Sequence, residues 1–163
     1  MTDYRANRVP GDTYFFTVRL CDPAISLTDR IAAFSAAIRA ARVRMPFHLD
    51  AWIALPDHAH TIWTLPPGEH DGSARWRAVK IAFSKSLGSG STKPHGTANG
   101  SAHGNAVWER HFQQEAIRGP DHYRCLVERL HADPVRHGLC ARAEDWPWSS
   151  LQRFISAGWH GPS

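Results

Sequence analysis

The sequence predicts an α+β protein with a ferredoxin-like antiparallel sheet and helices packed on one face of it. Two observations lead to this class. Segments with strand periodicity and segments with helix periodicity follow one another in the order β, α, β, β, α, β, α, α. The second and third strands are joined by a turn around Pro56 and Asp57, and so short a connection implies an antiparallel pair.

The first half of the chain has clear element boundaries. Residues 13–20 are rich in aromatic and β-branched side chains and predict the first strand. A capping box at residues 26–29, followed by apolar residues at helical spacing, predicts a helix that ends near Arg44. Residues 47–55 and 59–65 predict the two strands of the hairpin.

The second half predicts three helices and one more strand region. Ser73 can cap a basic and aromatic helix, and residues 107–117 predict a strand or a strand pair. Pro120 suits the first position of the next helix, and residues 146–158 predict a short terminal helix. The third helix has an apolar stripe formed by Tyr123, Leu126, Val127 and Leu130.

Length and composition predict one domain that spans residues 1–163. The chain has 163 residues, and a hydrophobic fraction of 42% is too high for a disordered protein. Residues 88–105 are rich in Gly, Ser, Thr and Asn and predict a flexible insertion. Because no apolar run approaches the roughly 20 residues of a transmembrane helix, we expect a cytoplasmic protein.

The charge balance indicates a nucleic-acid partner. The formal net charge is +4, and sixteen of the nineteen basic residues are Arg, whose planar fork of donors matches phosphate oxygens. A GC-rich genome that favours Arg codons would produce the same composition. The three cysteines form no CxxC pair, so neither a disulfide framework nor a thiolate zinc site is indicated.

Two histidines and one aspartate are candidate metal ligands. His58 and His60 are two residues apart, so a strand would place both imidazoles on one face of the sheet. Asp133 lies on the third helix beside its apolar stripe, and two imidazoles with one carboxylate suit a divalent cation. The alternatives are partly buried structural histidines and a turn role for Asp133, which precedes Pro134.

Several runs in this order resemble one family, the REP-associated tyrosine transposases, which belong to the HUH class of single-strand DNA transposases. The resemblance implies a ferredoxin-like fold, a Mg²⁺ or Mn²⁺ site, and cleavage and strand transfer on hairpins of palindromic single-stranded DNA. The runs that carry it are residues 10–18, 52–60 with LPDHAH, 75–77, 108–118, 133–138 with DPVRHG, and 146–150.

The resemblance assigns the metal to His58, His60 and Asp133, although the family commonly has Asn where Asp133 stands. The family nucleophile is a Tyr, and the equivalent position here is Arg129. A guanidinium cannot form the phosphodiester-linked intermediate that a phenol forms. Arg129 could instead clamp a phosphate, or it could form an ion pair with Asp133 at i+4.

Three functions are therefore open. The first is a transposase-type endonuclease and strand transferase, the second is a hairpin-binding protein without cleavage, and the third is a metal-dependent hydrolase that uses water. The resemblance favours a monomer over the dimer found among related insertion-sequence transposases. The candidate contacts to DNA are Arg5, Arg8, Arg75, Arg77, Lys80, Arg110 and Arg118.

Overall fold

The computed structural model describes residues 10–88 and 106–159. In this part of the chain, four strands and four α-helices follow one another in the predicted order. Arg5, Arg8 and nearly all of the expected insertion lie outside these residues. A short 3₁₀ turn precedes the last helix. The elements are β1 (Thr13–Arg19), α1 (Ile31–Arg44), β2 (His48–Ala54), β3 (His58–Thr64), α2 (Ser73–Ser86), β4 (Gln113–Ala116), α3 (Pro120–Arg136) and α4 (Leu151–Ser156).

The sheet has the strand order β2-β3-β1-β4, and every neighbouring pair is antiparallel. This order confirms the ferredoxin-like α+β class. β2 and β3 form the expected hairpin, and β1 occupies the interior beside β3. In that pairing Thr17 lies opposite His60, and Arg19 lies opposite His58.

Helices cover both faces of the sheet, which corrects the expectation of a single covered face. Phe16 and Val18 of β1 join the core under α1 and α2, whereas Phe15 joins a second core under α3 and α4. The reason is that β1 and β3 are apolar on both sides, so a sheet covered on one face would expose Phe15 and Ile62.

Three elements have other boundaries than the sequence predicts, and one of them is the terminal helix, which is expected at residues 146–158 and observed as α4 (Leu151–Ser156). α1 begins at Ile31, because the Ser26 hydroxyl accepts the Asp29 amide within a preceding turn. The expected strand at residues 107–117 shortens to β4, and Trp108 pairs with Leu20 only as an isolated bridge. β4 remains the exposed edge of the sheet.

α3 positions the candidate aspartate. Pro120 stands in its first turn, and the predicted apolar stripe is buried against the sheet. The helix continues through Pro134 to Arg136, so Asp133 is a helical residue rather than a turn residue. No helix among the described residues is long and apolar enough to cross a bilayer.

His131 is a buried, neutral imidazole in the core under α3. Its Nε2 lies 2.9 Å from Ser150 Oγ, which accepts the Trp52 amide and donates to the Trp52 carbonyl. The Nε2–H of His131 must therefore donate to that hydroxyl, and Nδ1 has no partner within residues 10–88 and 106–159. Burial lowers the pKa of His131 to about 4.

We expect His131 to make the protein sensitive to acid. Above pH 6.5 the imidazole is neutral in both states, and below it the unfolded chain binds the proton more readily. Folding stability should fall by about 1.4 kcal/mol per pH unit between pH 6.5 and about 4. Between pH 7.5 and 5.0, the free energy of unfolding measured with denaturant should decrease by about 2 kcal/mol less in His131→Phe than in the wild type.

The exposed His111 provides the control, because His111→Gln should keep the wild-type dependence on pH. An identical loss in His131→Phe and the wild type would contradict this account.

Candidate metal centre

His58, His60 and Asp133 meet on the sheet face that α3 covers. β3 places the two imidazoles on the same side by its period of two, as the sequence predicts. α3 brings Asp133 to them from the last third of the chain. His58 is 3% exposed and Asp133 is 6% exposed, so the group is largely shielded from water.

One carboxylate oxygen joins the three side chains. Asp133 Oδ2 lies 3.0 Å from Nε2 of His58 and 3.0 Å from Nε2 of His60. One ligand atom from each residue lies within 4.8 Å of the others, which suits a shared cation. His137 approaches the second oxygen of Asp133, with its Nε2 3.5 Å from Oδ1.

The other ring nitrogens are held by neighbouring side chains. His58 Nδ1 donates to Asp57 Oδ1 at 2.7 Å, and His60 Nδ1 lies 2.8 Å from Thr17 Oγ1. Such bonds orient metal-binding imidazoles and leave Nε2 to face the ion. Neither partner was predicted from the sequence. Asp57 adjoins His58 in the sequence, whereas Thr17 is revealed only by the pairing of β1 with β3.

The charges of the cluster are set by burial and by these bonds. Burial alone would raise the pKa of Asp133, but hydrogen bonds from His58 and His60 hold it well below its usual range. Burial opposes charge on His58, yet its bonds to Asp133 and Asp57 raise its pKa. Burial lowers the pKa of His60. Within the cluster, charge is therefore favoured on Asp133 and His58 and disfavoured on His60.

The donor set fits a divalent cation. Two imidazole nitrogens and one carboxylate leave open coordination positions for other oxygen ligands. Asp57 and Thr17 already orient the imidazoles, so metal binding requires little rearrangement. Bound there, a divalent cation would polarise a phosphodiester as a Lewis acid.

Arg129 lies beside the cluster and forms no ion pair with Asp133 among the described residues. Its exposed guanidinium rests over Phe15, with Cζ 5.2 Å from the ring centroid. Phe15 in turn stacks on the His60 imidazole at 5.3 Å. The ion-pair alternative considered for Arg129 is therefore not the arrangement that the structure adopts.

The described tyrosines do not replace a nucleophile at position 129. Tyr123 is buried as expected, and its hydroxyl donates to Asp50 near the far end of the hairpin. It is ten helical residues from Asp133, about 15 Å along α3. The Tyr14 side chain belongs to the core on the opposite sheet face. Tyr4 lies outside the described residues.

Arg75 does not have the exposed guanidinium that a DNA contact requires, which corrects the sequence expectation. It is 5% exposed. Its guanidinium donates to the carbonyls of Met45 and Pro46 and pairs with Glu69 at 2.5 Å. These bonds tie α2 to the end of α1, so the residue has a structural role.

Three other basic candidates lie close together. A cavity of about 550 Å³ between α2 and residues 110–114 is lined by Arg77, Lys80 and Arg110, with Phe112 beside them. Arg77 and Arg110 are exposed, whereas Lys80 donates to a backbone carbonyl. We call this cavity the basic groove. Phe112 packs on Phe16, so the groove lies on the sheet face opposite the His and Asp cluster.

The fold and the cluster define a class of protein: a ferredoxin-like domain whose paired strand histidines and helix carboxylate form a candidate divalent-metal centre. No family model matches the chain. It is 34% identical over 159 residues to the REP-associated tyrosine transposase of Escherichia coli strain K12, covering 97% of this chain and 87% of that protein. The chain therefore belongs to the REP-associated tyrosine transposase family.

Two further comparisons agree. A solved structure of a REP-associated tyrosine transposase bound to a REP hairpin has a TM-score of 0.79 and 34% identity, covering 99% of this chain and 93% of the other. A candidate REP-associated tyrosine transposase of Haemophilus influenzae is 30% identical over 158 residues, covering 96% of this chain and 89% of that protein.

We expect Thr17 to support metal binding through His60. Thr17→Val removes the hydroxyl that orients the imidazole and should weaken Mn²⁺ binding about 10- to 100-fold by calorimetry. Thr61 is the matched control, because its buried hydroxyl has no partner within the described part of the chain. Thr61→Val should leave Mn²⁺ affinity unchanged. An equal effect of both variants would contradict a specific role for Thr17.

We expect metal affinity to rise with pH. His58 must release its Nε2 proton to bind a cation, and its pKa is raised, so protons compete with metal near neutrality. Below that pKa, Mn²⁺ affinity should increase up to about tenfold per pH unit, and above it the curve should flatten. Asp57→Asn should move the bend to lower pH, since one of the two carboxylates that stabilise the charge is lost. A bend unmoved in this variant would contradict the assignment.

Proposed function

We propose that the chain binds single-stranded hairpin DNA and presents a phosphodiester to a Mg²⁺ or Mn²⁺ ion held by His58, His60 and Asp133. Attack on the phosphorus by a water molecule would cleave the strand, and attack by a DNA hydroxyl group would transfer it, with the leaving DNA oxygen taking a proton in either case. The observation that carries the proposal is the shared contact of Asp133 Oδ2 with both imidazoles. Family membership supports hairpin DNA as the substrate, since a relative of similar fold is bound to a REP hairpin.

The basic groove is the proposed place of backbone contacts. Arg77 and Arg110 present exposed guanidinium groups there, and Lys80 adds charge at the wall. Burial lowers the pKa of Lys80, and its ammonium already donates to the Glu109 carbonyl, so the two arginines have more donors available for phosphate. Arg118 is exposed after β4 and is a further candidate.

The proposed unit of binding is one chain. All three candidate ligands and the residues of the basic groove come from the same polypeptide, which supports a monomer as the unit that binds DNA. Because the proposed substrate is DNA, we propose the cytoplasm as the compartment in which the chain acts.

A second candidate is hairpin binding without cleavage. Arg129 favours it, because this residue occupies the position of the family's nucleophilic Tyr and a guanidinium forms no covalent link to phosphate. The described tyrosines, Tyr14 and Tyr123, lie away from the cluster. Attack by water would give cleavage without a covalent adduct.

One assay distinguishes these outcomes. A hairpin oligonucleotide with single-stranded flanks is incubated with the protein and Mg²⁺ or Mn²⁺, and binding, nicking and protein-linked DNA are measured. We expect retardation of the hairpin and metal-dependent nicking that His60→Ala abolishes. Retardation without nicking would support the second candidate. The absence of any retardation would contradict both.

Two sets of variants sharpen the assay. His48→Ala is the matched control for His60→Ala, because His48 is an exposed histidine at the other end of the hairpin. Arg129→Tyr should add a covalent adduct that the wild type lacks. Nicking without an adduct in this variant would show that a phenol at position 129 is not sufficient for covalent chemistry.

The groove makes a separate prediction. The double variant Arg77→Gln, Arg110→Gln should reduce the slope of log affinity against log salt by about 1.4, the value for two lost phosphate contacts to single-stranded DNA. Fluorescence anisotropy of a labelled hairpin across a salt series measures this slope. Arg39→Gln, which alters an exposed arginine of α1, should leave it unchanged. An unchanged slope in the double variant would exclude the groove as a DNA contact.

A further inference from the structure

The guanidinium of Arg129 has a defined place next to the candidate metal ligands. Arg129 is one helical turn before Asp133, so the two side chains leave α3 on neighbouring parts of its surface. The Phe15 ring beneath the guanidinium is 4% exposed and contacts the His60 imidazole. This ring restricts the Arg129 side chain at the edge of the cluster.

The acidic residues that could neutralise Arg129 have other partners. Glu115 lies opposite Phe15 in the β4 pairing, and its carboxylate contacts His122 at 3.2 Å. Glu128, the preceding residue on α3, pairs with Arg124 at 3.4 Å. Asp133 is engaged by the imidazoles. Among the described residues, Arg129 makes no ion pair and no hydrogen bond through its side chain.

A guanidinium placed over an aromatic ring makes a cation–π contact through its face and keeps its N–H donors for other partners. A paired arrangement of N–H donors matches two oxygens of a phosphate group. The surface next to the cluster therefore offers an exposed guanidinium that no carboxylate of the described residues neutralises. The candidate metal centre lies next to this guanidinium, and a divalent cation bound at that centre would also bind phosphate oxygens.

We propose that Arg129 is a phosphate clamp, binding non-bridging oxygens of the DNA strand at the metal centre through its guanidinium. The inference rests on the proposed function and deepens it, because it assigns a binding role to the position where the family has its nucleophile. The clamp retains the strand without forming a bond to it. Arg129 is a substrate-binding residue in this role, and the metal ligands do not depend on it.

The test compares Arg129→Gln and Arg129→Lys with Arg39→Gln in hairpin binding with Mn²⁺ across a salt series. Arg39 is an exposed arginine of α1, the helix that packs on the opposite face of the sheet. We expect Arg129→Gln to weaken binding about tenfold and to reduce the salt slope by about 0.7, the value for one phosphate contact. Arg129→Lys should recover part of the slope but not the full affinity. Arg39→Gln should match the wild type.

A second measurement separates this inference from the proposed function. Inorganic phosphate is titrated into protein loaded with Mn²⁺, and binding is followed by calorimetry. We expect the wild type to bind phosphate more tightly than Arg129→Gln, with Mn²⁺ affinity equal in the two proteins. If the wild type does not bind the hairpin, the proposed function fails, and the phosphate titration alone decides the clamp.

The overturning results are distinct. Where the wild type binds the hairpin, equal affinity and equal salt slope in Arg129→Gln would overturn the clamp while leaving hairpin binding intact. Where it does not, equal phosphate affinity in the two proteins would overturn the clamp. A loss of Mn²⁺ binding in Arg129→Gln would also overturn it, because the residue would then act through the metal ligands.

Discussion

A single buried carboxylate oxygen, Oδ2 of Asp133, links the two halves of this molecule. It receives hydrogen bonds from His58 and His60, so it joins the hairpin of β2 and β3 to α3, which lies more than 50 residues further along the sequence. Removing one partner from a buried charged pair typically costs about 3–5 kcal/mol, because the other charge is left uncompensated. The hydrogen bonds of His58 to Asp133 and Asp57 raise its pKa, which favours a positive charge beside the carboxylate. The same atoms thus stabilise the fold and form the candidate centre.

The candidate metal centre and the basic groove lie on opposite faces of the sheet. The face under α3 carries the imidazoles and the carboxylate, whereas the face beside α2 carries the basic groove. Both faces end at β4, an edge strand whose four residues are exposed. A DNA strand that contacted both surfaces would have to pass round this edge. The arrangement arises because β1 is apolar on both sides and needs a helical layer on each.

Local patterns in the sequence were sufficient for the order of the elements and for placing His58 and His60 together, whereas Asp133 was assigned as a ligand only through the family resemblance. A period of two placed His58 and His60 on one side of β3, and the apolar stripe of α3 oriented Asp133 toward the sheet. These features depend on residues close together in the chain, and backbone geometry determines their directions. The proline of the DPV run suggested a turn at Asp133, but α3 continues through Pro134 to Arg136.

What the sequence by itself determined was the order of the elements, the hairpin and the residue types that could bind a cation. Only the tertiary structure decided that α3 covers the second face, that Thr17 meets His60, that Arg75 is buried, and that Arg129 rests on Phe15 instead of pairing with Asp133. The physical reason is that strand register and helix placement result from packing between distant segments. Local periodicity sets the direction of a side chain but does not specify which distant residue it will contact.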